Sequence, residues 1–92
     1  MTETWSARPS EFYEFKSWGS DGVIFLCDSG DTHLLNPMGV QALELLQSSS
    51  FQLIDLVREL SLSPALDAES ITPNSVLGLL TELYYLGILS KK

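Results

Sequence analysis

The aromatic residues and the leucines of this chain occupy different parts of it. Six of the nine aromatics, Trp5, Phe12, Tyr13, Phe15, Trp18 and Phe25, fall within the first 25 residues. Sixteen of the seventeen leucines lie from Leu34 onward. Aromatic and β-branched side chains suit a pleated surface, whereas leucine is a good helix former. The division predicts strands first and helices after, an α+β arrangement.

Local patterns place the elements. Glu11 to Trp18 alternates loosely and reads as a first strand. Gly19-Ser20-Asp21-Gly22 reads as a turn. Val23 to Asp28 is the strongest strand, and its continuous apolar run implies cover on both faces. After the turn Ser29-Gly30-Asp31, Thr32 to Leu35 reads as a short third strand. The connections are too short for parallel crossovers, so the three form an antiparallel meander. Asn36-Pro37 and Thr72-Pro73 each pair a capping side chain with a proline suited to the first helical turn. They predict helices from about Pro37 to Gln47 and from about Pro73 to Leu86. Between them, Leu53, Leu56, Val57 and Leu60 form the stripe of a helix over about Gln52 to Leu60. Gly87 is placed as a left-handed terminator of the last helix, with Ile88 and Leu89 packing back on the core.

Two features suggest a binding surface. The last helix has Val76, Leu79, Leu80, Leu83 and Leu86 as its core stripe, with Leu77, Tyr84 and Tyr85 at or beyond its margins. A wide buried face explains this, and so does one wall of an apolar groove. The third strand precedes a helix, so one of its sides is left either as an open edge that an extended peptide can join or as an edge kept short against aggregation, and the sequence does not choose between the two. Such an edge also admits dimerisation.

Charge and composition narrow the function classes. Five Lys and Arg stand against twelve Asp and Glu, a net charge of −7. This opposes binding to duplex DNA. The last helix contains no Lys or Arg with which to contact guanine or phosphate. No basic residue falls on the third strand either, so a binding surface on either element is expected to be nearly neutral and apolar. Basic residues in an incoming peptide would be steered toward this acidic chain. The first residues lack the apolar stretch of a signal peptide, and the longest uninterrupted apolar run, Val23 to Cys27, is too short for a membrane helix. The expectation is a cytoplasmic protein with no membrane association.

Catalytic chemistry is not evident in the residues. One Cys and one His do not make up a usual zinc set, so no metal or other cofactor is expected. Cys27 faces His33 in one hairpin register and not in another, and the sequence leaves the register open. Cys27 reads most simply as a small buried hydrophobe and His33 as a strand residue whose ring packs and hydrogen-bonds. The pairs Glu11/Glu14 and Asp28/Asp31 lie where solvated carboxylates are expected. Gly19, Gly22 and Gly30 do not make a phosphate-binding spacing. The chain is expected not to be an enzyme.

The order of these pieces resembles the PqqD-like proteins, most closely the branch found beside kinases related to HPr kinase. The resemblance is carried by Trp18-Gly19 with Asp21-Gly22-Val23, then by Ser29-Gly30-Asp31-Thr32-His33-Leu34-Leu35-Asn36-Pro37. It continues through Ala42-Leu43-Glu44-Leu45-Leu46, Leu53 to Leu60, Leu79-Leu80-Thr81-Glu82-Leu83 and Leu86-Gly87-Ile88-Leu89. It spans about residues 8 to 90.

The resemblance implies a winged-helix-like fold, a three-stranded antiparallel meander followed by three helices. It implies a peptide chaperone, or recognition element, for ribosomally made and later modified peptides. In that family the precursor's leader lies as an added strand against the third strand, in a groove closed by the third helix. Here the expected site is Thr32, His33, Leu34 and Leu35 with Val76, Leu77, Leu80 and Tyr84. The expected partners are a precursor or leader peptide and a modifying enzyme, either kinase-like or a radical maturase, without nucleic acid. Pyrroloquinoline quinone, the product that namesakes of the family serve, is not carried over. Residues 1–10 are expected to be a flexible segment before a single domain over 11–90. The competing expectation is a winged-helix DNA-binding or regulatory domain, which the shape allows and the charge opposes.

Overall fold

The computed structural model describes residues 3–19, 21–64 and 66–92. Its strands are β1 (Thr4–Ala7), β2 (Tyr13–Trp18), β3 (Asp21–Leu26), β4 (Thr32–Leu35), β5 (Phe51–Gln52) and β6 (Leu89–Lys91). Its helices are α1 (Pro37–Ser48), α2 (Leu53–Ser61) and α3 (Pro73–Tyr85), with short 3-10 turns at Ser10–Phe12 and Ala68–Ser70. The strands form two antiparallel three-stranded sheets, in the orders β2-β3-β4 and β5-β1-β6. The α+β arrangement thus holds, with a second sheet that the meander alone does not anticipate.

The N-terminal segment is where the structure departs most from the expected layout. Thr4–Ala7, expected to be flexible, is the middle strand of the second sheet. It pairs with Phe51–Gln52 on one side and Leu89–Lys91 on the other. Trp5 is only 2% exposed, so this strand contributes one of the largest side chains of the core. Ile88 and Leu89 do pack back, and Leu89 does so as the first residue of β6.

Local chemistry sets the helix ends. Asn36 Oδ1 accepts from the Gly39 N–H at 2.8 Å, with Pro37 in the first turn of α1. At α3 the Ser75 N–H donates to Thr72 Oγ1, and the Thr72 N–H donates to Ser75 Oγ in return. This reciprocal pair satisfies two backbone donors that the first turn leaves free. Gly87 ends α3 at φ +85°. There the Ile88 N–H reaches the Leu83 carbonyl and the Gly87 N–H reaches the Tyr84 carbonyl, both at 3.0 Å. This pair of bonds is a Schellman turn, and it aims the chain into β6.

One core joins both sheets to the helices. Leu43, Leu56, Leu60, Val76 and Leu80 from the helices meet Trp5, Tyr13 and Ile24 from the sheets, all nearly or fully buried. Each such leucine contributes about 1.5–3 kcal/mol by leaving water. The close approach of α1 to the hairpin needs Gly22. A Cβ at that position would lie 2.7 Å from Val40 Cγ2. Among the described residues, no helix is long and apolar enough to cross a membrane.

Candidate edge-strand groove

The first sheet fixes which atoms of β4 are free. Ile24 stands opposite His33, and Gly22 opposite Leu35. The Leu26 N–H donates to the Asp31 carbonyl at 2.8 Å, so that pair is hydrogen-bonded. Hydrogen-bonded pairs alternate along an antiparallel ladder. His33 and Leu35 therefore spend their backbone groups on β3. Thr32 and Leu34 turn theirs off the sheet, because β4 is the last strand in the order. The side chains alternate as well. Leu35 is 7% exposed and His33 is half-buried on the inner face, while Leu34 is 83% exposed on the outer face. Trp18 and Phe25 are exposed on that same outer face.

The same register answers the question of Cys27 and His33. Cys27 lies in the turn beyond β3, exposed, and His33 faces Ile24 instead. The reading of Cys27 as a buried hydrophobe is corrected, because β3 ends one residue before it. Among the described residues no group of three or more His, Cys, Asp and Glu comes together in a way that would hold a metal ion.

A groove of about 240 Å³ runs between β4 and α3. His33, Leu34, Leu35 and Asn36 line one wall, and Leu79, Glu82, Leu83 and Leu86 line the other. Three of the four expected β4 residues thus reach it, and Thr32 does not line it. The expected α3 residues do not. Val76 and Leu80 are fully buried in the core. Tyr84 lies on the far flank, edge to face with Trp5. Leu77 and Leu79 are about 200° apart on a helical projection, so Leu77 belongs to that far flank too.

The physical reason for this correction is helix rotation. A 3.6-residue period gives the width of an apolar face but not which margin looks toward β4. That is set by β1 and β6, which take the Tyr84 margin for themselves. The signal that could have found the other wall is the Leu79, Glu82, Leu83, Leu86 spacing, a continuous i, i+3, i+4, i+7 stripe.

The groove is also less neutral than expected. Glu82 is exposed in one wall, and His33 and Asn36 add polar atoms to the other. His33 Nε2 is buried with no hydrogen-bond partner among the described residues. Set against protein-family models, curated proteins and solved structures, the chain matches none of them.

Proposed function

We propose that this is a non-catalytic peptide-binding domain of the PqqD-like kind, winged-helix-like in arrangement, with β2 and β3 as the wing. It takes up an extended precursor or leader peptide as an additional strand on β4 and presents it to a modifying enzyme. The observation that carries this reading is the pairing of an open strand edge with a groove. Thr32 and Leu34 offer backbone donors and acceptors beside a cleft whose far wall is Leu79, Leu83 and Leu86. Backbone pairing gives affinity without sequence preference, and the cleft selects alternate side chains. Glu82 favours a peptide that carries a basic residue beside its apolar anchor. A DNA-binding reading has less support, since α3 has no Lys or Arg and the chain carries net charge −7.

The test is an amide NMR titration of the labelled protein with synthetic peptides covering the short reading frames beside its gene. Shifts at 32–35 and 79–86 are expected. Shifts confined to β2 and β3 would reject the placement.

A further inference from the structure

The flank of α3 turned away from the groove carries a second surface of different chemistry. Tyr84 is 38% exposed and Tyr85 is 81% exposed. With Arg8, Leu89, Ser90 and Lys91 they line a shallow depression of about 400 Å³ along β6. Three independent observations bear on what it binds.

The first is backbone. β6 is the last strand of its sheet. Thr4 and Lys92 exchange both backbone hydrogen bonds at 2.9 Å, and the Arg8 N–H donates to the Ile88 carbonyl at 2.8 Å. By alternation, Leu89 and Lys91 turn their N–H and C=O groups away from β1; Leu89 is buried, so it is Lys91 that presents them to solvent.

The second is charge. The chain has five Lys and Arg in all. Arg8 and Lys91 line this depression, Lys92 follows directly, and no described residue lining it is acidic. The nearest recorded acid is Glu3, 3.6 Å from Lys91 Nζ with its side chain half-exposed. An ion pair of that kind is weak and easily exchanged.

The third is placement. Lys91 Nζ sits 4.8 Å from the Tyr84 ring centroid and 5.2 Å from that of Trp5. Arg8 Cζ lies 4.0 Å above the Phe12 ring. Both cations rest on aromatic faces, which limits the side-chain freedom lost when they engage an anion.

We propose that this face docks an acidic, extended segment of a partner protein. The segment pairs with the exposed backbone of Lys91 at the end of β6, sets carboxylates against Arg8 and Lys91, and lays an apolar side chain on Tyr85. A peptide fits better than the larger polyanions. A duplex or an anionic bilayer meets the whole chain, whose net charge is −7, whereas a short segment meets mainly the charges within a Debye length of about 8 Å. This surface lies beyond the groove reading and does not depend on it. The two flanks of α3 can be occupied at once.

The probe is an acetylated eight-residue peptide alternating Glu and Leu, compared with its Gln-for-Glu and Lys-for-Glu counterparts by amide NMR titration of the full chain. The acidic peptide should shift Arg8, Tyr85 and 89–91, leave 32–35 unmoved, and bind at least ten-fold tighter than the Gln peptide at low salt. The R8Q/K91Q double variant should lose that ten-fold. Tyr85→Ser, at a side chain mostly in water, should weaken binding several-fold with an unchanged melting temperature, which separates docking from folding. Equal binding of the Gln peptide, shifts confined to the β4 groove, or no shift at millimolar peptide would overturn the proposal. So would tighter binding to a 15-base-pair duplex or to phosphatidylglycerol vesicles than to the acidic peptide.

Discussion

The rings of Trp5 and Tyr84 meet edge to face, their centroids 6.2 Å apart and their planes at 90°. This contact ties the fourth residue before Pro9 to the last turn of α3, and so it decides how that helix is turned. With Tyr84 committed to Trp5, the Leu79, Glu82 and Leu86 margin is left to face β4. The site on one sheet is therefore oriented by a strand of the other.

Trp5→Ala should cost about 3–5 kcal/mol, the range for removing a large buried aromatic. Urea denaturation monitored by circular dichroism measures it. A loss below about 1 kcal/mol would mean that the N-terminal strand is not part of the core.

Gly22→Ala should cost about 1–3 kcal/mol through overpacking, because the new methyl group meets Val40 Cγ2 at 2.7 Å. Removing the opposing atoms should relieve it. In a double-mutant cycle with Val40→Ala, the combined loss should fall short of the sum of the two single losses. Strict additivity would place the clash elsewhere.

The parts of this fold legible in the sequence are those whose cause is local. Asn36-Pro37 and Thr72-Pro73 announce α1 and α3 because a cap and its helix are neighbours in the chain. Thr32–Leu35 appears as a strand because turn residues bound it on both sides. β1, β5 and β6 carry no comparable signal. They hold four, two and three residues, too short to show a period. Their pairing also joins positions as distant as Trp5 and Lys91. The β4 half of the groove was legible for the same local reason. The α3 half was not, since Val76, Leu80 and Leu83 share one apolar arc, and only the packing of β1 and β6 shows which margin stays open.

His33 offers a test of the groove's polar wall. Its Nε2 is enclosed with no hydrogen-bond partner among the described residues, which costs about 1–3 kcal/mol where water does not reach it. His33→Phe keeps a planar ring and removes that atom. The melting temperature should hold or rise by several degrees, since about 1 kcal/mol is worth about 4–8 °C in a domain of this size. A clear fall would mean that the imidazole nitrogen is satisfied.

Glu82→Gln should leave stability unchanged, because the side chain is exposed. For a groove peptide with Lys or Arg beside its anchor, affinity should drop several-fold, and added salt should weaken the wild type more than the variant. A peptide with no basic residue should bind both alike. Fluorescence anisotropy at two ionic strengths distinguishes these outcomes, and an equal loss for both peptides would make Glu82 a packing residue.

Leu34→Pro separates strand addition from simple apolar docking. The Leu34 N–H points off the sheet, so a proline there removes no bond of the β3–β4 ladder. Its side chain is 83% exposed, so little packing is lost. Stability should change by about 1 kcal/mol or less, whereas peptide affinity should fall at least ten-fold through the missing donor. Leu35→Pro is the control. That residue is buried, and its N–H belongs to the pair with Gly22, so the proline should unfold the edge of the sheet. Leu34→Ala completes the comparison, since it shortens the side chain and keeps the N–H. If Leu34→Ala and Leu34→Pro weaken binding equally, the side chain and not the backbone edge holds the peptide. If only the proline does, the incoming chain is a strand.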